Sequence, residues 1–198
     1  MRFASSYLQI TVLALCSVLA ACGSISAAKE PSKSGASVDV PAAAQAAFDS
    51  ALTAQRAQQW PEAERQLKQL AEKYPQLSGP QLNLALLYAQ TQRPQQAEES
   101  FKRALQINPN NISAANQYGI WLRSQARFAE AETVYQQALA RNPNSAETHL
   151  DLAILYDLYM GKLPQALEHY QRYLALIGDE KSPVQSWVAD LQRRMKAG

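Results

Sequence analysis

Between Ser78 and Asn111 the chain reads SGPQLNLALLYAQTQRPQQAEESFKRALQINPNN, and the reading of this stretch decides the fold. Leu82, Ala85, Leu86 and Tyr88 fall on helical spacing, and so do Ala97, Phe101, Ala104 and Leu105 further on. Two amphipathic helices therefore follow one another. Gln92-Arg93-Pro94 separates them, with Pro94 at the first position of the second helix, where a missing N–H costs nothing. Asn108-Pro109 ends the unit, because Asn tolerates a left-handed cap and Pro constrains the residue before it.

Shifting by thirty-four residues repeats the pattern. Ala97, Phe101, Ala104 and Leu105 become Ala131, Tyr135, Ala138 and Leu139, and Asn108-Pro109-Asn110 becomes Asn142-Pro143-Asn144. One period earlier stand Ala63, Leu67 and Leu70, with Pro75 in the place of Pro109. One period later, Ala166, Tyr170, Tyr173 and Leu174 fit after a single inserted residue near Gly161. This resembles the tetratricopeptide repeat (TPR), a helix-turn-helix unit with that period and with Ala, aromatic, Ala and Pro at these offsets. The resemblance runs from about Ala44 to Ile177. Two features depart from the family pattern: Gln58, Gln92 and Ala126 replace the usual turn glycine, and the first helices lack the usual Trp. The expected fold is all-α, a right-handed TPR superhelix of about four repeats, near 44–77, 78–111, 112–145 and 146–177, closed by a C-terminal capping helix over 178–198.

Composition narrows the function. The 198 residues carry a net charge of +2, with 19 Lys and Arg interspersed among 17 Asp and Glu, so no basic footprint for nucleic acid exists. Both cysteines, Cys16 and Cys22, precede the repeats, which removes disulfide and thiol chemistry from the folded part.

Met1 to Ala21 reads as a secretory signal: Arg2, an apolar centre from Ile10 to Leu19, then small residues. Leu19-Ala20-Ala21-Cys22 resembles a bacterial lipobox, which implies cleavage before Cys22 and lipidation of it; the other reading is an ordinary signal cut near Ala21 or Ala28. Two or more acyl chains anchor stably where one is marginal. Gly23-Ser24 after the cysteine, in place of Asp, implies the outer membrane, facing the periplasm. Residues 22–40 are rich in Ser, Ala, Lys, Gly and Pro and read as a flexible tether with a span of roughly 20–25 Å.

From residue 41 the repeats begin. Trp60 and Phe128 fall at inter-helix turns, and Gly119, Ala85 and Ala153 take the position where the partner helix approaches closely. The fourth repeat gathers Tyr156, Tyr159, Tyr170 and Tyr173 with His149 and His169, and reads as core and cap packing; the histidines lack metal-site spacing, and no metal is expected. Ser182 and Pro183 open a last helix whose stripe of Val184, Trp187, Val188, Leu191 and Met195 suits a solenoid end. Glu98, Glu99, Glu130 and Glu132 read as solvated, at turn starts or on outward faces.

No phosphate loop, serine elbow or paired-carboxylate spacing is present in the sequence, so no enzyme and no cofactor are expected. By resemblance the concave wall is built from the first helix of each repeat. Its positions fall on Phe48, Leu52 and Gln55; Leu82, Leu86 and Ala89; Asn116, Ile120 and Arg123; and Leu150, Ile154 and Asp157. TPRs that clamp a peptide carboxylate carry Lys, Asn and Arg there, a pattern this chain does not match. Its wall is an apolar stripe, oriented by Asn116, Arg123 and Asp157. The second repeat's first helix is apolar nearly all round, so something should cover it: an envelope protein or peptide segment, a second copy, or the chain's own C-terminal helix. The expected function is a lipid-anchored periplasmic interaction scaffold, in its specific form an aid to pilus or secretin assembly. The alternatives are an adaptor for peptidoglycan-modifying enzymes and an apolar-ligand binder.

Overall fold

Proline placement and short polar turns cut the chain into helices of nearly equal length. The structure, a computed structural model, describes residues 40–178 and 182–197. The expected signal, the Cys22 lipidation site and nearly all of the tether lie outside the described residues. Helices α1 (Ala42–Arg56) and α2 (Trp60–Lys73) form the first pair, α3 (Ser78–Gln90) and α4 (Pro94–Ile107) the second, α5 (Ile112–Ser124) and α6 (Phe128–Arg141) the third. In the fourth, α7 (Ala146–Leu155) runs into a π-helical turn, Tyr156–Met160, before α8 (Leu163–Ile177). The last helix is α9 (Val184–Ala197). Each second helix packs on its own first helix and then on the next repeat, while α3, α5 and α7 lie side by side, as in an α-solenoid of TPR repeats.

The turn glycines missing from the sequence reappear as a backbone demand. Gln58, Gln92 and Ala126 take φ of 57°, 57° and 58°, the left-handed conformation that favours glycine. In each, the following N–H reaches five residues back: Gln59 to Ala54, Arg93 to Tyr88 and Arg127 to Leu122. In the fourth repeat the corresponding residue is a glycine, Gly161 (φ 64°), and Lys162 N–H reaches six residues back, to Tyr156. The inserted residue is thus absorbed inside the helix as the π-turn, and the repeat restarts in register. The extra residue also rotates Leu158 and Tyr159 into solvent, so Tyr159 is exposed and does not join the core with Tyr156 and Tyr170. Asn108 and Asn142, expected to be left-handed, are extended instead (φ −136° and −133°), because the prolines that follow them exclude the helical region.

The core is one run of small and aromatic residues. Ala63, Ala97, Ala131 and Ala166 are fully buried, as are Leu67, Phe101 and Tyr135 one turn further along, with Tyr170 nearly so. Gly119 is required by one of them: a methyl group there would overlap the Tyr135 ring, whose hydroxyl would stand 2.9 Å from the added carbon. Phe101, Tyr118 and Trp121 stack at centroid separations of 5.2 to 6.0 Å. Helix α9 packs on α8 through buried Val184 and Leu191, and Trp187 meets the Tyr170 ring edge-on at 6.0 Å. Trp187 and Met195, from the same stripe, remain 42% and 37% exposed, so α8 covers only part of the stripe.

Candidate functional site

The residues read as a groove lie on the first helices and differ in how far they are buried. Phe48, Leu52, Leu86, Ile120, Leu150 and Ile154 are half-buried. Leu82 is sunk to 8% exposure. Apolar groups in this condition gain about 25 cal/mol for each Å² a partner covers.

The polar members of the wall are placed differently. Asn116 is fully buried and accepts a hydrogen bond from Thr148 Oγ1 at 2.7 Å across the α5–α7 contact; Thr148 Oγ1 also lies 2.7 Å from Ser145 Oγ. Asp157, in the π-turn, accepts from Arg194 of α9 at 2.6 Å and from Tyr170 at 3.4 Å. It is therefore held within the chain instead of facing a groove. Arg123 lies over the Tyr159 ring, 5.5 Å from its centroid.

The structure adds a residue that the sequence reading did not select, Asp151. Its carboxyl is buried on α7, and burial pushes it up to about 6, partly opposed by the Arg123 guanidinium and reinforced by Glu147. Among the described residues, Asp151 Oδ2, Arg123 Nη1, Asn116 Nδ2, Tyr135 Oη and, in the first repeat, Gln55 Oε1 are buried atoms without a hydrogen-bond partner. Leaving such an atom unpaired costs about 1–3 kcal/mol. Position 151 escaped the sequence reading because a lone Asp beside apolar neighbours carries no spacing signature.

A second set of polar residues ties successive repeats together. Glu64, Glu98 and Glu132, one period apart, each accept from the cation before the next repeat's second helix: Arg93 (2.8 Å), Arg127 (2.6 Å) and Lys162 (2.8 Å). Each also accepts from a tyrosine of the next repeat, Tyr88, Tyr118 or Tyr156, at 2.9 to 3.3 Å. Hydrogen bonds from Arg127 hold Glu98 at about 2, well below the usual carboxylate range. Glu98 and Glu132, expected to be solvated, are therefore half-buried rungs of an inter-repeat ladder; Glu130 is exposed, although it too pairs with Arg127.

An apolar cleft of about 250 Å³ opens where α1 meets the start of α3, lined by Val40, Ala44, Phe48, Leu70, Leu77 and Pro80 among others. That is smaller than the roughly 300–1,000 Å³ of ordinary small-molecule pockets. Among the described residues no group of three or more His, Cys, Asp or Glu is placed to hold a metal ion, and no helix is long and apolar enough to cross a membrane.

Stacked helix pairs with an open, partly apolar inner wall define a repeat-solenoid interaction module. Three tetratricopeptide-repeat family models match the chain, over residues 45–76, 76–144 and 122–191, and the chain belongs to that family. It is similar to the solved structure of Pseudomonas aeruginosa pilF, at 25% identity and a TM-score of 0.67, over 78% of this chain and 70% of that one. PilW, described as a widely conserved type IV pilus biogenesis factor, matches at 23% identity and TM-score 0.63, over 78% and 70%. MamA from Desulfovibrio magneticus RS-1 matches at 21% identity and TM-score 0.62, over 77% and 85%. At these identities PilW and MamA show a shared fold. No curated protein sequence matches the chain.

Proposed function

We propose that this chain is a non-enzymatic scaffold that holds envelope proteins near an outer membrane, tethered there through lipidated Cys22, and that it assists pilus or secretin assembly. The observation that carries the interaction reading is an apolar stripe that recurs one period apart on the first helices, Leu52, Leu86, Ile120 and Ile154, each only half-buried. A protein segment laid along these residues would cover the stripe. The pilus version draws on likeness to P. aeruginosa pilF and to PilW, whose description is a pilus biogenesis factor.

The test is photo-crosslinking in cells from a probe at position 120, with mass identification of what is attached. A discrete adduct with a pilus or secretin component is expected, lost in Ile120→Asp, which should melt within a few degrees of the parent because Ile120 is only half-buried. Cys22→Ser should release the protein from membranes and weaken the adduct. Self-adducts alone, or collapse of the Ile120→Asp fold, would make this wall part of the core or of a self-contact.

A further inference from the structure

The two histidines of the chain meet inside the fourth repeat. His149 Nδ1 on α7 lies 2.8 Å from His169 Nδ1 on α8, and His149 Nε2 lies 3.0 Å from the Pro143 carbonyl oxygen. A carbonyl oxygen only accepts, so His149 carries its proton on Nε2 and its Nδ1 holds a lone pair. His169 must then donate from Nδ1, the less common tautomer of a free imidazole. The geometry fixes both tautomers and the direction of the bond.

The pair is enclosed on several sides. His149 is 8% exposed and His169 half-buried. On α8, Glu168 is adjacent to His169 in sequence, and Arg172 one turn on donates to Asn144 of the α6–α7 loop at 2.6 Å. From the π-turn the Tyr156 ring packs on His169 at 5.7 Å; its hydroxyl is engaged by Glu132 of α6, and Lys162 lies over its ring. Helix α5 approaches through neutral Asn116, by way of Thr148.

We propose that His149 and His169 form an acid-operated joint between the two helices of the fourth repeat. With one mobile proton on the Nδ1–Nδ1 line, the bond holds α7 against α8. A second proton on His169 goes to Nε2 and leaves the bond in place. A proton on His149 Nδ1 while His169 Nδ1 keeps its own sets two N–H groups face to face, and the rings must part. Burial, and then the facing His149 ring, hold the His169 imidazole below its ordinary value, with Glu168 opposing them.

The consequence reaches the inner wall, because Leu150 follows His149 directly and Ile154 lies one turn on. Opening the joint displaces the fourth repeat's share of the stripe and the π-turn that Arg194 holds through Asp157. The inference stands apart from the identity of any partner. Once opened, the two rings can each take a proton, whereas the closed joint admits at most one. Each extra proton in the open form shifts the opening equilibrium about tenfold per pH unit.

The experiment uses the full chain, whose two histidines are its only imidazoles. Long-range proton–nitrogen NMR at pH 7.5 should show one ring protonated at Nε2 and the other at Nδ1. Hydrogen exchange of α7 and α8, corrected for intrinsic rate, should rise about tenfold relative to α3 and α4 between pH 6.5 and 5. The increase should be absent in His149→Asn, whose Oδ1 can still accept from His169 Nδ1 but takes up no proton, and should persist in His169→Gln, where opening still frees His149 to take one. Two Nε2–H rings titrating independently, with exchange in α7 and α8 tracking α3 and α4, would overturn the proposal. If His149→Asn folds poorly, the tautomers and exchange of the parent chain decide.

Discussion

The first helices of the second and fourth repeats occupy the same place in the template and bury different mixtures of side chains. Helix α3 sinks Leu82, Leu84, Leu87 and Tyr88 and contains no charged residue. Helix α7 sinks Leu152, Ala153 and Leu155 but with them Thr148, His149 and Asp151, and its π-turn adds Asp157. Apolar burial is non-directional and indifferent to pH. Buried polar groups hold only while their partners and protons are in place. The second repeat is thus a fixed spine, and the fourth an end whose stability depends on protonation. The largest effect that could break this contrast is Leu87→Ala. Leu87 is fully buried, and its truncation should destabilise by about 3 kcal/mol. Equilibrium denaturation should give the same loss at pH 5 and pH 7.5; a loss that changes with pH would mean that the spine shares the fourth repeat's titrations.

A smaller change sharpens the contrast from the other side. Asp151 has its folded value raised to about 6, above the ordinary 3.8, so its stabilisation is greatest below 3.8 and is lost as pH rises through 6. Asp151→Asn removes that titration. Relative to the parent, the variant should gain about 2 kcal/mol between pH 4 and pH 7.5. The sign is opposite to that of His169, whose lowered value means stability lost as pH falls, so comparing parent with each variant separates the two. A flat difference would place Asp151 in contact with water, its carboxylate already solvated.

Much of this was legible beforehand, for a specific reason. The period of thirty-four residues fixed four helix pairs, and the displaced Ala166 motif located the insertion that became the π-turn. The half-buried apolar residues Leu52, Leu86, Ile120 and Ile154 recur with the same period. What escaped were relations between side chains of different repeats. Glu64, Glu98 and Glu132 recur one period apart, as do Arg93 and Arg127, so the ladder's signal was present in the sequence, hidden because each residue alone reads as solvated. Asn116 and Asp157 fell on groove positions by register, yet Thr148 and Arg194 engage them, and no spacing rule brings Arg194 to Asp157. Position 151 gave no signal at all.

The smallest effect compares the two repeats at their turns. The second repeat closes its turn with Gln92 at φ 57°, the fourth with Gly161 at φ 64°. A side chain in that region costs about 1–2 kcal/mol, while glycine loses slightly more backbone entropy on folding. Gln92→Gly should therefore stabilise by about 1 kcal/mol and Gly161→Ala destabilise by a similar amount. A Cβ added at Gly161 would meet nothing within 4 Å, so the second change reads backbone conformation without a packing contribution. Opposite and nearly equal shifts in denaturation midpoint would show that the left-handed residue is a demand of the repeat geometry and that the second repeat tolerates the wrong residue because its apolar core has stability to spare. A neutral Gly161→Ala would instead show that the π-turn lets the fourth repeat relax its turn, making that end of the solenoid the softer one even before any proton binds.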